Sequence, residues 1–200
     1  MTFTGVVSVT ERKLVIMMQG FTQAITASVQ RLREARVPGE VLAEFVPHRR
    51  RFFVFRKAPT FRRVAQVWRV GALLLTEQGD VYAVGRTVRA AKRTRLGVTS
   101  EALESRRDLA GYAFDAGFPE GTEVNFDAMC IYDAAATEAA PLVDTLKAHP
   151  ELPLAVVDGE LRVLWRRGAD PHTAPPLEKY LAERVDLMIH TPGQGTAGGA

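Results

Sequence analysis

Apolar positions recur along this chain with two different periods, and the switches between them mark out its elements. In TQAITASVQRLREAR (22–36), Ile25, Val29 and Leu32 fall at i, i+4 and i+7, one face of a helix. Pro38-Gly39 ends it. RFFVFRK (51–57) is aromatic and β-branched and precedes Pro59, so it reads as a strand. The clearest hairpin joins Trp68–Leu75 to Val81–Val88 through TEQGD, where Gly79 can take a positive φ. Leu73-Leu74-Leu75 and the run from Val81 to Val84 are apolar on both faces. Such strands are covered on both sides, which predicts a hairpin at the middle of its sheet.

Further along, Ser100 is placed to cap a helix whose first turn carries Glu101 and Glu104. Leu103, Ala110 and Phe114 are its expected buried stripe, and Gly117 with Pro119 stops it. EVNFDAMCIY (123–132) reads as another strand, and residues 134–148 as an Ala-rich short helix or loop. Asp158-Gly159 sits between PLAVV and ELRVLW, the signature of a tight type I′ hairpin. Alternation there turns Leu161, Val163 and Trp165 inward, with Arg162 and Arg166 outward. Pro175 and Pro176 start a last helix that runs to Ile189, lined by Leu177, Leu181, Val185 and Met188. Lys179 and Glu183 make an i, i+4 pair on it. The expected fold class is α+β: an antiparallel sheet built from two β-hairpins plus single strands, covered by three or four helices.

Composition narrows this reading. Two hundred residues, 46% of them apolar, suit one globular domain with short extensions. Residues 1–16 are read as an unstructured N-terminal extension, 17–190 as the domain, and TPGQGTAGGA (191–200) as a disordered tail. The apolar run LVIMM after Arg12-Lys13 has five residues, whereas a signal core needs about 7–15 and a membrane span about 20. No membrane partner is therefore expected. A single cysteine, Cys130, excludes an intramolecular disulfide and fits a cytoplasmic protein.

Charge is uneven. Residues 49–95 hold thirteen Lys/Arg against two acids, a net +11, while residues 96–200 hold eight against seventeen, a net −9. Such asymmetry points either to an anionic partner or to two segments that neutralise each other. The basic run at Arg86, Arg89, Lys92, Arg93 and Arg95 is the candidate anion-binding edge, suited to weak contact with a polyanion or nucleic acid. Aromatics near the upstream arginines (Phe52, Phe53, Phe55, Phe61, Trp68) could stack on bases but equally suit a core.

Catalytic signatures are sparse. Cys130 lies in a strand pattern, where core packing outweighs a nucleophile's role. Asn125 and Asp127 are two apart on one strand, so they would share a face able to orient a ligand; alternation alone equally explains them as outward polar groups around an inward Phe126. No two of His48, His149, His172 and His190 stand three or four apart, and there is no Cys-x-x-Cys, so no metal site is expected. No Gly-rich phosphate loop, Gly-x-Ser-x-Gly elbow or Ser-x-x-Lys pair is present, and no cofactor is expected.

At VWRVGALLLTEQGDVYAVGRTVRA, GFPEGTEVNFDA and PLEKYLAERVDLM the chain resembles a group of small uncharacterised actinobacterial proteins, some of which carry the label glutaminase. The likeness spans roughly residues 40–190. It implies an amide hydrolase but supplies no catalytic residues. Serine-type glutaminases are built on Ser-x-x-Lys, and amidotransferases on a cysteine at the mature N-terminus or in a Gly-x-Cys-x-Gly elbow; Cys130 fits neither. The residues favour a non-catalytic binding or interaction domain for an anionic partner, with the amide hydrolase as the alternative.

Overall fold

The computed structural model describes residues 9–47, 50–51, 55–56, 58–93, 101–136, 140–166 and 168–190. Its helices are α1 (Val9–Glu34), α2 (Glu101–Asp115), α3 (Ala140–Ala148) and α4 (Leu177–His190). Its first strands are β1 (Glu40–Val46), β2 (Arg50–Arg51), β3 (Phe55–Arg56) and β4 (Thr60–Val70). Then come β5 (Leu73–Thr76), β6 (Val81–Ala83), β7 (Arg86–Arg89), β8 (Glu123–Phe126) and β9 (Met129–Tyr132). The last two are β10 (Leu154–Val157) and β11 (Glu160–Val163). The class is α+β, and of the pairings described only β1–β8 is parallel. Among the described residues no helix is long and apolar enough to cross a membrane.

The chain forms two compact units. One comprises residues 1–38, 70–83 and 130–200. In it α1 and α4 pack together and share the Arg31–Asp186 ion pair. Ile25, Val29 and Leu32 are buried as their spacing predicts, but α1 starts at Val9, well before Thr22. The β5–β6 hairpin pairs Leu73 with Ala83, Leu74 with Tyr82 and Leu75 with Val81, and Leu73, Leu74 and Leu75 are fully buried. Its turn is closed by Asp80 and Thr76: the Thr76 hydroxyl donates to Asp80 Oδ2 and accepts from Asp80 N, both at 2.9 Å, while Gly79 takes φ +94°.

The β10–β11 turn is the expected one, with Asp158 at φ +53° and Gly159 at +84°. Leu161 and Val163 point into the core. Trp165 does not: β11 has ended, and the ring lies 57% exposed beneath the Arg166 guanidinium. Arg162, expected outside, is half-buried because it donates to the Ala174 and His172 carbonyls and pairs with Glu160. On α4, Leu177, Leu181 and Val185 are buried, and Lys179 meets Glu183 at 3.9 Å.

The second unit comprises residues 39–69 and 84–129. Its strands run in the order β7-β8-β1-β4, which leaves β7 at an edge. Neither β1 nor the eleven-residue length of β4 was anticipated, because their apolar residues do not alternate cleanly. The expected strand 51–57 is instead a two-residue pairing of β2 with β3, and Phe52 and Phe53 lie outside the described residues. A core of Val41, Phe61, Val88, Val124 and Phe126 sits under α2, with Phe61 and Phe126 edge to face at 5.1 Å. Helix α2 buries Ala113 instead of the predicted Leu103, which is 49% exposed, and Ala110 and Phe114 are half-buried.

Two predicted strands of the first hairpin are each broken at a glycine. Gly71 has φ +64°, and a Cβ there would overlap the Tyr180 hydroxyl, which accepts a hydrogen bond from Ala72 N at 3.0 Å. At Gly85 a Cβ would overlap the Asp127 carbonyl. Residues 123–132 also divide, because Asp127 takes φ +53° and ends β8. Ser100 and residues 191–200 lie outside the described residues.

Candidate functional site

β8 pairs with β7 on one side and β1 on the other, so its middle residue is enclosed between strands. That residue is Asn125, fully buried. A buried amide must find partners for both ends. Its Nδ2 donates to Glu40 Oε2 at 2.7 Å and to the Val41 carbonyl at 3.2 Å. Its Oδ1 accepts from the Thr87 hydroxyl at 3.2 Å and from Arg69 Nη2. Arg69 also reaches Thr87 Oγ1 through Nη2, and its Nε lies 3.3 Å from Glu40 Oε2. Asn125 is thus neither outward nor beside Asp127 on a shared ligand face: Asp127 is exposed, beyond the strand's end, and pairs with Arg86 at 3.5 Å.

The same strand β7 borders a cleft of about 340 Å³. Thr87, Val88 and Arg89 form one wall, and Leu103, Arg106 and Arg107 of α2 the other. No acidic residue is among its described lining residues. Thr87 belongs to both the cleft and the buried network, which fixes its hydroxyl from behind. Arg106 and Arg107 follow Leu103 at i+3 and i+4, and all three are exposed. Their spacing was visible in the sequence, but the assignment of Leu103 to the core concealed the face they share. Arg69 carried a signal too: an arginine between Trp68 and Val70 in a strand must be partnered if it is covered.

Of the predicted basic run, only Arg89 reaches this cleft, and it is paired with Glu123 across the strands at 2.7 Å. Arg86 stacks over the Phe126 ring at 4.8 Å as well as pairing with Asp127. Arg93 pairs with Asp108 at 2.9 Å and lies over Tyr112. Lys92 is exposed, and Arg95 lies outside the described residues. Three of the thirteen Lys/Arg of the basic segment are therefore held by carboxylates of the acidic one.

Cys130 belongs to the other unit and is exposed, not packed in a core as free cysteines commonly are. Its thiol hydrogen-bonds with Tyr82. The surrounding protein strips water from the sulfur and raises its pKa, and the carboxylates of Asp133 and Asp80 raise it further. Burial pushes Tyr82 up to about 12, aided by Cys130, Asp80 and Asp133. A nucleophilic thiol needs the opposite environment, with a base or cation that favours thiolate. His149 pairs with Glu151 and His190 with the Asp186 carbonyl; His48 lies outside the described residues. Among the described residues no group of three or more His, Cys, Asp or Glu is placed to hold a metal ion.

Compared with family models, curated proteins and solved structures, the chain matches none of them.

Proposed function

We propose that the chain is a cytoplasmic, non-catalytic binding domain whose anionic partner occupies the cleft between β7 and α2. The observation that carries this reading is that Arg89, Arg106 and Arg107 line one cleft, with no acid among its described lining residues. The guanidinium groups of Arg106 and Arg107 offer forked donors for carboxylate or phosphate oxygens, while Arg89, paired with Glu123, adds positive charge beside them. The cleft volume falls in the range of ligand sites, and Leu103 with Val88 supplies apolar contact. A nucleic-acid partner draws less support, since Arg86, Arg89 and Arg93 are each held by a carboxylate.

The alternative, an amide hydrolase of the glutaminase-labelled actinobacterial group, rests on the resemblance of the three quoted segments. Against it stands the raised pKa of Cys130, the one thiol.

The test is calorimetric titration with inorganic phosphate and with glutamate at low salt. Binding is expected to weaken with added salt and to vanish in Arg106→Ser/Arg107→Ser. Unchanged binding in that variant overturns the reading. Ammonia release from glutamine by the purified protein, abolished in Cys130→Ala, would install the alternative.

A further inference from the structure

We infer that the occupant of this cleft is an acidic peptide segment, bound in extended form as an added strand on β7. The inference rests on the anion-binding reading above and specifies its partner. Its foundation is the direction of the β7 backbone. Ala90 turns both main-chain groups toward β8: its N–H donates to the Thr122 carbonyl at 2.8 Å, and its carbonyl accepts from Gly121 N at 2.8 Å. Main-chain groups alternate sides along an antiparallel strand. Val88 therefore faces β8 as Ala90 does, and Thr87, Arg89 and Ala91 face the free edge. Ala91 bears this out, since its N–H donates to the Ala110 carbonyl of α2 at 3.2 Å.

That bond closes one end of the cleft. Beyond it, among the described residues, no main-chain group pairs with Thr87 or Arg89 on the free side. Two residues two apart thus present N–H and C=O groups into a cleft that both of them line. An extended peptide satisfies such a row, whereas a lone oxyanion does not. The open stretch, Thr87 to Arg89, accepts about three peptide residues, roughly 10 Å of strand.

Charge selects the peptide. Arg89 stands on the strand side, with Arg106 and Arg107 across from it on the helix. On an added strand, the side chains turned toward α2 would carry carboxylates to Arg106 and Arg107 beside Val88 and Leu103, while the alternate ones would face away with Thr87 and Arg89. A second copy of this chain pairing β7 to β7 would set Arg86 and Arg89 against the same arginines, so this edge disfavours its own kind.

The test uses the full chain and a fluorescein-labelled hexapeptide, Val-Glu-Val-Glu-Val-Glu. Two counterparts are N-methylated at alternate residues, one in each register, and inorganic phosphate is titrated in parallel. The acidic peptide is expected to bind, and N-methylation in one register, not the other, to weaken it about tenfold or more by removing the backbone donors. Amide exchange at Thr87 and Arg89 is expected to slow in the complex. If phosphate binds through Arg106 and Arg107 while the peptide fails to bind, or binds equally well in both methylated forms, strand addition is overturned and the anion cleft stands. If neither phosphate nor peptide binds, the cleft reading falls and this inference with it.

Discussion

Asn125→Ala is the most informative single perturbation of the β7–β8–β1 region. Asn125 makes four hydrogen bonds from a fully buried position. Those to the Glu40 carboxylate and Arg69 guanidinium involve charged partners, each contributing about 1.5–3 kcal/mol net; those to the Val41 carbonyl and Thr87 hydroxyl are neutral, at about 0.5–1.5 kcal/mol each. Straight addition overshoots, because the bonds share partners. Glu40 and Arg69 keep each other at 3.3 Å in the variant, and their side chains are 23% and 28% exposed, so water can replace part of the loss. We expect a loss of about 3–4 kcal/mol, a large fraction of the ~5–15 kcal/mol that holds an ordinary domain together. The assay is urea unfolding followed by tryptophan fluorescence in a Trp165→Phe background, which leaves Trp68 in β4 as the reporter of this unit. Thr87→Val is the control, removing the hydroxyl but keeping the shape, and is expected to cost about 1 kcal/mol. A loss below ~1 kcal/mol for Asn125→Ala, or one equal to that of Thr87→Val, would refute the network.

Other expectations are simpler. Leu74→Ala removes a fully buried side chain from β5 of the first unit and should cost about 2–5 kcal/mol in urea unfolding followed by circular dichroism; under ~0.5 kcal/mol would mean the residue is not enclosed. Gly85→Ala forces a methyl group onto the Asp127 carbonyl and should destabilise by about 1–3 kcal/mol, measured by thermal unfolding. Tyr82 and Cys130 both bind their protons more tightly when folded, so the stability they contribute is present at neutral pH and is lost as pH rises past their unfolded values through their raised folded ones, about 12 for Tyr82. Alkaline unfolding should be less steep in Tyr82→Phe/Cys130→Ser, and alkylation of Cys130 at neutral pH should be slower than that of a free thiol; a fast-reacting Cys130 would contradict the environment described.

What the sequence determined by itself was the local and the periodic. The face of α1 at Ile25, Val29 and Leu32, the Asp158-Gly159 turn, the Leu73–Leu75 burial and the face of α4 all follow from spacing within a dozen residues. Backbone geometry sets these periods whatever lies elsewhere in the chain. Only the tertiary structure decided where runs of β-forming residues break. Gly71, Gly85 and Asp127 end strands because of what approaches them: the Tyr180 hydroxyl at the first, the Asp127 carbonyl at the second, a positive φ at the third. It also decided that β1 and β8 pair in parallel across more than eighty residues of chain, which no local pattern encodes. The candidate site belongs to this second kind. Arg89 and Arg106 share a cleft, and Glu40, Arg69, Thr87 and Asn125 one network, because strand order brings distant residues together. Charge could be counted from the sequence, but which carboxylate holds which arginine is a matter of a few ångströms. At that range the ion pairs Arg86–Asp127, Arg89–Glu123 and Arg93–Asp108 turn an apparent basic edge into a partly neutralised one.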